Sequence, residues 1–101
     1  MDTKLSILFY SKTFKQTKEG LIPIYLRFTV NDERFEQSTA HYVSLKAWSQ
    51  EAGRAKGNSE EARTINYFLD SLRQKVYDYQ REIMLHNEPF TIQTFKKMDF
   101  W

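Results

Sequence analysis

The residue pattern predicts an α+β fold, with strands filling the first half of the chain and one long helix the second. Three observations carry this prediction. Over residues 21–30 the side chains alternate, with Ile22, Ile24, Leu26, Phe28 and Val30 on one side and Pro23, Tyr25, Arg27 and Thr29 on the other, the period of a half-buried strand. Asn31-Asp32 follows at once, a dipeptide suited to the φ > 0 positions of a tight hairpin, and a second strand-like run begins at Glu33. Further on, Ala62, Ile65, Leu69, Leu72, Val76, Tyr79 and Ile83 recur at spacings of three and four, the single apolar stripe of an amphipathic helix.

Taken in order, residues 5–10 form a first strand, rich in apolar and aromatic side chains. Residues 11–20 are polar, hold Lys12, Lys15 and Lys18, and close on Gly20; they read as a long hairpin loop or an extended hairpin tip. In the second strand, Pro23 points to an edge or a bulge near its start, because proline cannot donate to a ladder. The third strand runs from Glu33 to about Thr39 and resumes over residues 41–44. A two-residue turn at Asn31-Asp32 sets Val30 against Glu33, Thr29 against Arg34, Phe28 against Phe35, Arg27 against Glu36 and Tyr25 against Ser38. Phe28 and Phe35 then share the core face, whereas a slip of one residue would throw Phe35 into water. The opposite face collects Tyr25, Arg27, Thr29, Arg34, Glu36 and Ser38.

Residues 45–58 read as a connecting loop pinned by the buried indole of Trp48, with Gly53 and Gly57 as turn residues. Asn58 and Glu61 have the spacing of a capping box, and Glu60 adds negative charge to the first turn, where the helix dipole favours it. The helix ends near His86-Asn87, since Asn takes the left-handed cap position and Pro89 stops continuation. Thr91 is placed to cap a second helix through Phe95, Met98 and Phe100, of which the sequence holds only the start. The sheet's core face needs a cover, and the helix stripe supplies it; a coiled coil is the competing use of that stripe.

At 101 residues the chain fits one domain able to bury a core without staples, and eight Phe, six Tyr and two Trp furnish that core. With no cysteine, disulfides and thiolate metal sites are excluded. No run approaches the roughly 18 apolar residues of a membrane span, and the N-terminus lacks a signal-peptide core, so the expectation is a cytoplasmic protein without a membrane partner. Nine basic and six acidic residues lie at or before position 58, against six and seven after it. The positive charge belongs to the strand half, which also carries the open face.

Catalytic constellations are not found. His41 and His86 lack metal-ligand spacing, and there is no P-loop, GxGxxG or GxSxG; no cofactor, metal or small-molecule substrate is expected, and no enzyme activity. The open face has two readings. One is a solvated surface with an Arg27-Glu36 cross-strand pair. The other is a ribbon that enters a DNA major groove, where Arg27 meets guanine in bidentate fashion, Tyr25 and Thr29 reach phosphates or thymine methyls, and Lys12, Lys15 and Lys18 contact phosphates. On such a face Glu36 either accepts from a cytosine amino group or orients Arg27. A protein-interaction module using the helix or a sheet edge is the reading from another class.

The runs from Pro23 to Arg27, Asn31-Asp32, Ser38-Thr39-Ala40, Trp48, Gly53 to Gly57 and the helix rooted at Asn58 together resemble the N-terminal arm-type DNA-binding domain of phage-like integrases, tyrosine recombinases carried by mobile elements, including transposons, of gut anaerobes. The resemblance covers about residues 5–87. Asp32 stands where that family usually has Gly in the turn, and Ala40-His41 where a Gly commonly follows Ser-Thr. The resemblance implies a three-stranded antiparallel sheet backed by a helix, its polar face laid on double-stranded arm sites as a DNA recombination and integration accessory. It also implies a division into residues 1–87, the arm-binding domain, and residues 88–101, a linker or the beginning of a core-binding domain, with catalysis elsewhere in the parent enzyme and other recombinase protomers as possible partners.

Overall fold

A computed structural model describes residues 5–87; the expected second helix and linker lie outside them. Strands β1 (Leu5–Ser11), β2 (Leu21–Val30) and β3 (Glu33–Ser44) form an antiparallel sheet in the order β1-β2-β3. A small hairpin of β4 (Trp48–Ser49) and β5 (Arg54–Ala55) follows, and then the helix α1 (Glu60–Leu85). The α+β class and the three-stranded sheet backed by one helix are as expected.

The β2–β3 register is the one the hydrophobic pattern demands, from Val30 opposite Glu33 to Tyr25 opposite Ser38. Asn31 and Asp32 both take positive φ, 50° and 72°, which matches the right-handed twist of the flanking strands. The third strand is not interrupted as anticipated. It is continuous, and the pairing shifts between Ile24 and Tyr25, so that Ile24 faces His41 while Tyr25 faces Ser38.

That irregularity inserts two residues, Thr39 and Ala40, and an even insertion preserves side-chain parity. Phe35, Gln37, Thr39, His41 and Val43 accordingly stay on the core side, with Thr39 and Val43 fully buried. The bulge satisfies its own polar groups: Thr39 Oγ1 donates to the Ile24 carbonyl (2.8 Å) and accepts from the His41 amide (3.2 Å), and the Ala40 amide donates to Ser38 Oγ (3.0 Å).

Because β2 is the central strand, Pro23 is not at an edge; of the two alternatives it is the bulge that is found, just beyond Pro23 between Ile24 and Tyr25. The proline's missing donor falls where the β1 ladder stops. The Lys12 amide donates to the Pro23 carbonyl (3.2 Å), and the Lys12 carbonyl accepts instead from the Lys15 amide (3.0 Å). This closes the 3-10 turn Thr13–Lys15.

The core consists of Phe9 from β1, Ile22, Ile24, Leu26, Phe28 and Val30 from β2, Val43 from β3, Trp48 and Ala55 from the β4–β5 hairpin, and Ala62, Ile65, Leu69, Leu72, Val76 and Ile83 from α1. Each fully buried large side chain stabilises the fold by about 1.5–3 kcal/mol, so the helix stripe serves as the cover of the sheet. Trp48 is buried as expected, but its surroundings are more ordered than a loop. Gln50 Oε1 accepts from the Trp48 indole (2.7 Å) and the Ser11 amide (3.1 Å), while its amide nitrogen donates to the Ser11 carbonyl (2.9 Å). Gly53, at φ 66°, lies so close to β1 that a Cβ there would stand 3.0 Å from the Phe9 carbonyl oxygen.

Asn66 of α1 pairs with both backbone groups of Ala55, at 2.9 Å each, and so ties the helix to β5. The helix cap corrects the expected capping box. Ser59, not Asn58, is the N-cap, accepting from the Ala62 amide (3.1 Å), and Glu61 turns away to bind the Ser44 amide and hydroxyl at the end of β3. At the other end the helix closes with His86 as C-cap and Asn87 at φ 58°, the anticipated termination.

Candidate nucleic-acid interface

With α1 packed on one side of the sheet, the other side is open, and pairing aligns its outward residues in three rows: Ser6–Thr29–Arg34, Leu8–Arg27–Glu36 and Tyr10–Tyr25–Ser38. All six strand residues expected on this face are on it. Phe28 and Phe35, stacked with ring centres 5.9 Å apart, hold the register from behind.

The centre of the face is a connected polar cluster. The Glu36 carboxylate accepts from the Tyr10 hydroxyl and pairs with the Lys12 ammonium, and the Arg27 guanidinium stands 4.0 Å from it. Arg27 lies over the Tyr10 ring at 4.8 Å, and Lys12 over the Tyr25 ring at 4.0 Å, both within cation–π range. Lys15 reaches the Tyr25 hydroxyl at 3.4 Å, and the two tyrosine rings are 6.1 Å apart.

The 3-10 tip therefore brings Lys12 and Lys15 to Tyr25 on the sheet face. Lys18 sits exposed on the turn between Thr17 and Gly20. Thr29, Arg34 and Ser38 share the face at its outer rows, Ser38 with its hydroxyl engaged by the bulge.

Tyr10 and its β1 neighbours Leu8 and Ser6 were not singled out by sequence reasoning. The signal existed in the alternation of Leu5, Ile7 and Phe9 against Ser6, Leu8 and Tyr10, but a strand apolar on both sides looks buried on both sides. Its orientation becomes visible only once β1 is paired with β2. The same geometry gathers Tyr10, Lys12 and Arg27 around the Glu36 carboxylate.

The two histidines do not take part in this face. His41 stacks on Phe68 of α1 at 3.7 Å and its Nδ1 lies 2.9 Å from the Thr39 carbonyl, and His86 caps the helix. Among the described residues no group of His, Asp or Glu is arranged to hold a metal ion, and no helix is long and apolar enough to cross a membrane.

What this arrangement can do is present a cationic and aromatic ribbon, three strands wide, to a polyanion. No curated protein and no solved structure gives a significant match to the chain. A family model described as Arm DNA-binding domain does match, over residues 9–96, which takes in β2, β3, the hairpin tip and the whole helix. The chain belongs to the Arm DNA-binding domain family, and is a non-catalytic DNA-binding module of the kind integrases carry.

Proposed function

We propose that this module reads arm-type sites in double-stranded DNA by laying its open sheet face in the major groove, as the accessory domain of a site-specific tyrosine recombinase of a mobile element. The observation that supports this most is the placement of Arg27 at the centre of the open face, on the central strand, with its guanidinium steadied between the Tyr10 ring and the Glu36 carboxylate. A pre-oriented arginine is suited to bidentate contact with guanine O6 and N7, the commonest base-specific contact.

In this arrangement Tyr25, Thr29, Arg34 and Ser38 flank Arg27 and contact phosphates or thymine methyls, while Lys12, Lys15 and Lys18 at the hairpin neutralise phosphates and set the register on the duplex. Glu36 keeps Arg27 and Lys12 in place. Residues 1–87 constitute the arm-binding module, and residues 88–101 lead into a core-binding domain. The chemistry of strand exchange belongs to a separate catalytic domain of the parent enzyme, working in the cytoplasm where the DNA is.

The test is substitution of Arg27 on a duplex selected by the protein. Arg27→Ala should cost about 1–3 kcal/mol of binding and relax the preference at one base pair. An equal loss on every sequence would reduce Arg27 to a phosphate contact and remove the central element of the reading.

A second reading, self-association through the helix, is favoured by the exposed Tyr67 and Leu85 on α1, each more than three-quarters accessible. Sedimentation separates the two: concentration-dependent dimers lost in Tyr67→Ser with Leu85→Ser would favour self-association, and a monomer at all concentrations would dismiss it.

A further inference from the structure

The middle row of the open face contains one residue that the polar cluster does not use. Leu8 is directly opposite Arg27 across the β1–β2 ladder, points to the same side, and is 44% exposed. Its strand neighbour on this face, Tyr10, is committed to Glu36, and Arg27 is held by Tyr10 and Glu36. A lone exposed leucine has no meaning in itself. One set in the middle of a cationic face, beside the central arginine, offers an apolar surface where the cluster around it offers charge.

We propose that Leu8 is a base-reading residue, packing against the 5-methyl group of a thymine next to the guanine contacted by Arg27; this rests on the major-groove reading above. Thymine is the base that presents a methyl group in the major groove, and apolar side chains read it by contact. Neighbouring strands lie about 4.8 Å apart, and successive bases are about 3.4 Å apart along one strand. The thymine therefore falls within about two base steps of the Arg27 contact. β1 thus contributes to specificity, and the ribbon reads an adjoining pair of bases by two different chemistries.

The experiment uses the full chain to select duplexes from a synthetic library randomised over about 20 base pairs, then remakes the selected duplex with deoxyuridine in place of each thymine in turn. Deoxyuridine lacks only the methyl group. The expected result is a three- to fivefold loss of affinity, about that of exposing one methyl-sized group, at one or two positions near the guanine that Arg27→Ala ceases to prefer. Leu8→Gln should bind thymine and uracil equally at those positions, and Leu8→Met should keep the difference. Both variants alter an exposed side chain, and circular dichroism checks that they fold.

Equal binding of thymine and uracil at every position, or a thymine preference that survives in Leu8→Gln, would overturn the role of Leu8 while leaving sequence-selective binding, and with it the major-groove reading, in place. Failure to enrich any sequence from the library would overturn both.

Discussion

A single carboxylate, that of Glu36, gathers three groups from three segments of the chain: the Tyr10 hydroxyl of β1 and the Lys12 ammonium at the hairpin tip, which donate to it, and the Arg27 guanidinium of β2, which pairs with it at 4.0 Å. These groups are partly exposed, so the pairing contributes little to stability; exposed ion pairs are worth a fraction of a kcal/mol. On the proposed DNA-binding face its effect would be on binding: a negative charge at the centre of that face would repel phosphates wherever the protein lands, and would hold Arg27 in one orientation. Glu36→Gln is therefore expected to bind random-sequence duplex several-fold more tightly and to discriminate less between selected and random DNA, with stability changed by less than about 0.5 kcal/mol. Fluorescence anisotropy on the two duplexes measures this. Unchanged binding to random duplex would show that Glu36 has no such restraining role. Arg27 and Glu36 were legible as a cross-strand pair because the two-residue turn and the alternation fix the β2–β3 register locally. Tyr10 was not, since it joins the cluster through a pairing across the nine-residue segment between β1 and β2, where the sequence sets no register of its own.

At the scale of elements, what was legible follows periodicity and what was missed lacks it. The helix stripe and the β2–β3 hairpin extend over enough residues for a period to show, and both are found where the pattern put them. The β4–β5 hairpin has two residues in each strand, too few to display alternation, and is held by the long-range bonds of Gln50 and Asn66 instead. The helix cap was misplaced by one residue because Asn58 and Ser59 are both good caps, and what separates them is the distant partner Ser44, which draws Glu61 away from a capping box.

The bulge in β3 offers a direct check. Ala40 sits at φ 61°, a left-handed conformation that costs a non-glycine residue about 1 kcal/mol or more, and its exposed side chain makes no core contact that would offset this. Ala40→Gly should raise stability by up to about 1 kcal/mol, read as an increase in the urea midpoint with unchanged slope; the backbone entropy that glycine adds to the unfolded chain sets the ceiling. A destabilised Ala40→Gly would mean that Ala40 is not strained in the folded protein. Glycine is also the residue the resemblance led one to expect after Ser-Thr.

For the molecule as a whole, the division of labour is between two faces of one sheet. The core face is covered by α1, and the polar face, with the basic residues concentrated in the strand half of the chain, is left open. A net charge of +2 is too small to make the protein a general polyanion binder; the binding depends on where the cations are held. Affinity for DNA should accordingly be modest and fall by about 0.9 log units per phosphate contact for each decade of salt.

The most direct measurement of the central claim is an NMR titration of isotope-labelled protein with a generic duplex at low salt. The predicted result is a set of shifts concentrated at Tyr25, Arg27, Thr29, Arg34 and residues 12–18, reversed by added salt. Shifts confined to the helix Glu60–Leu85, or no shifts at all, would contradict the sheet face as the DNA-binding surface.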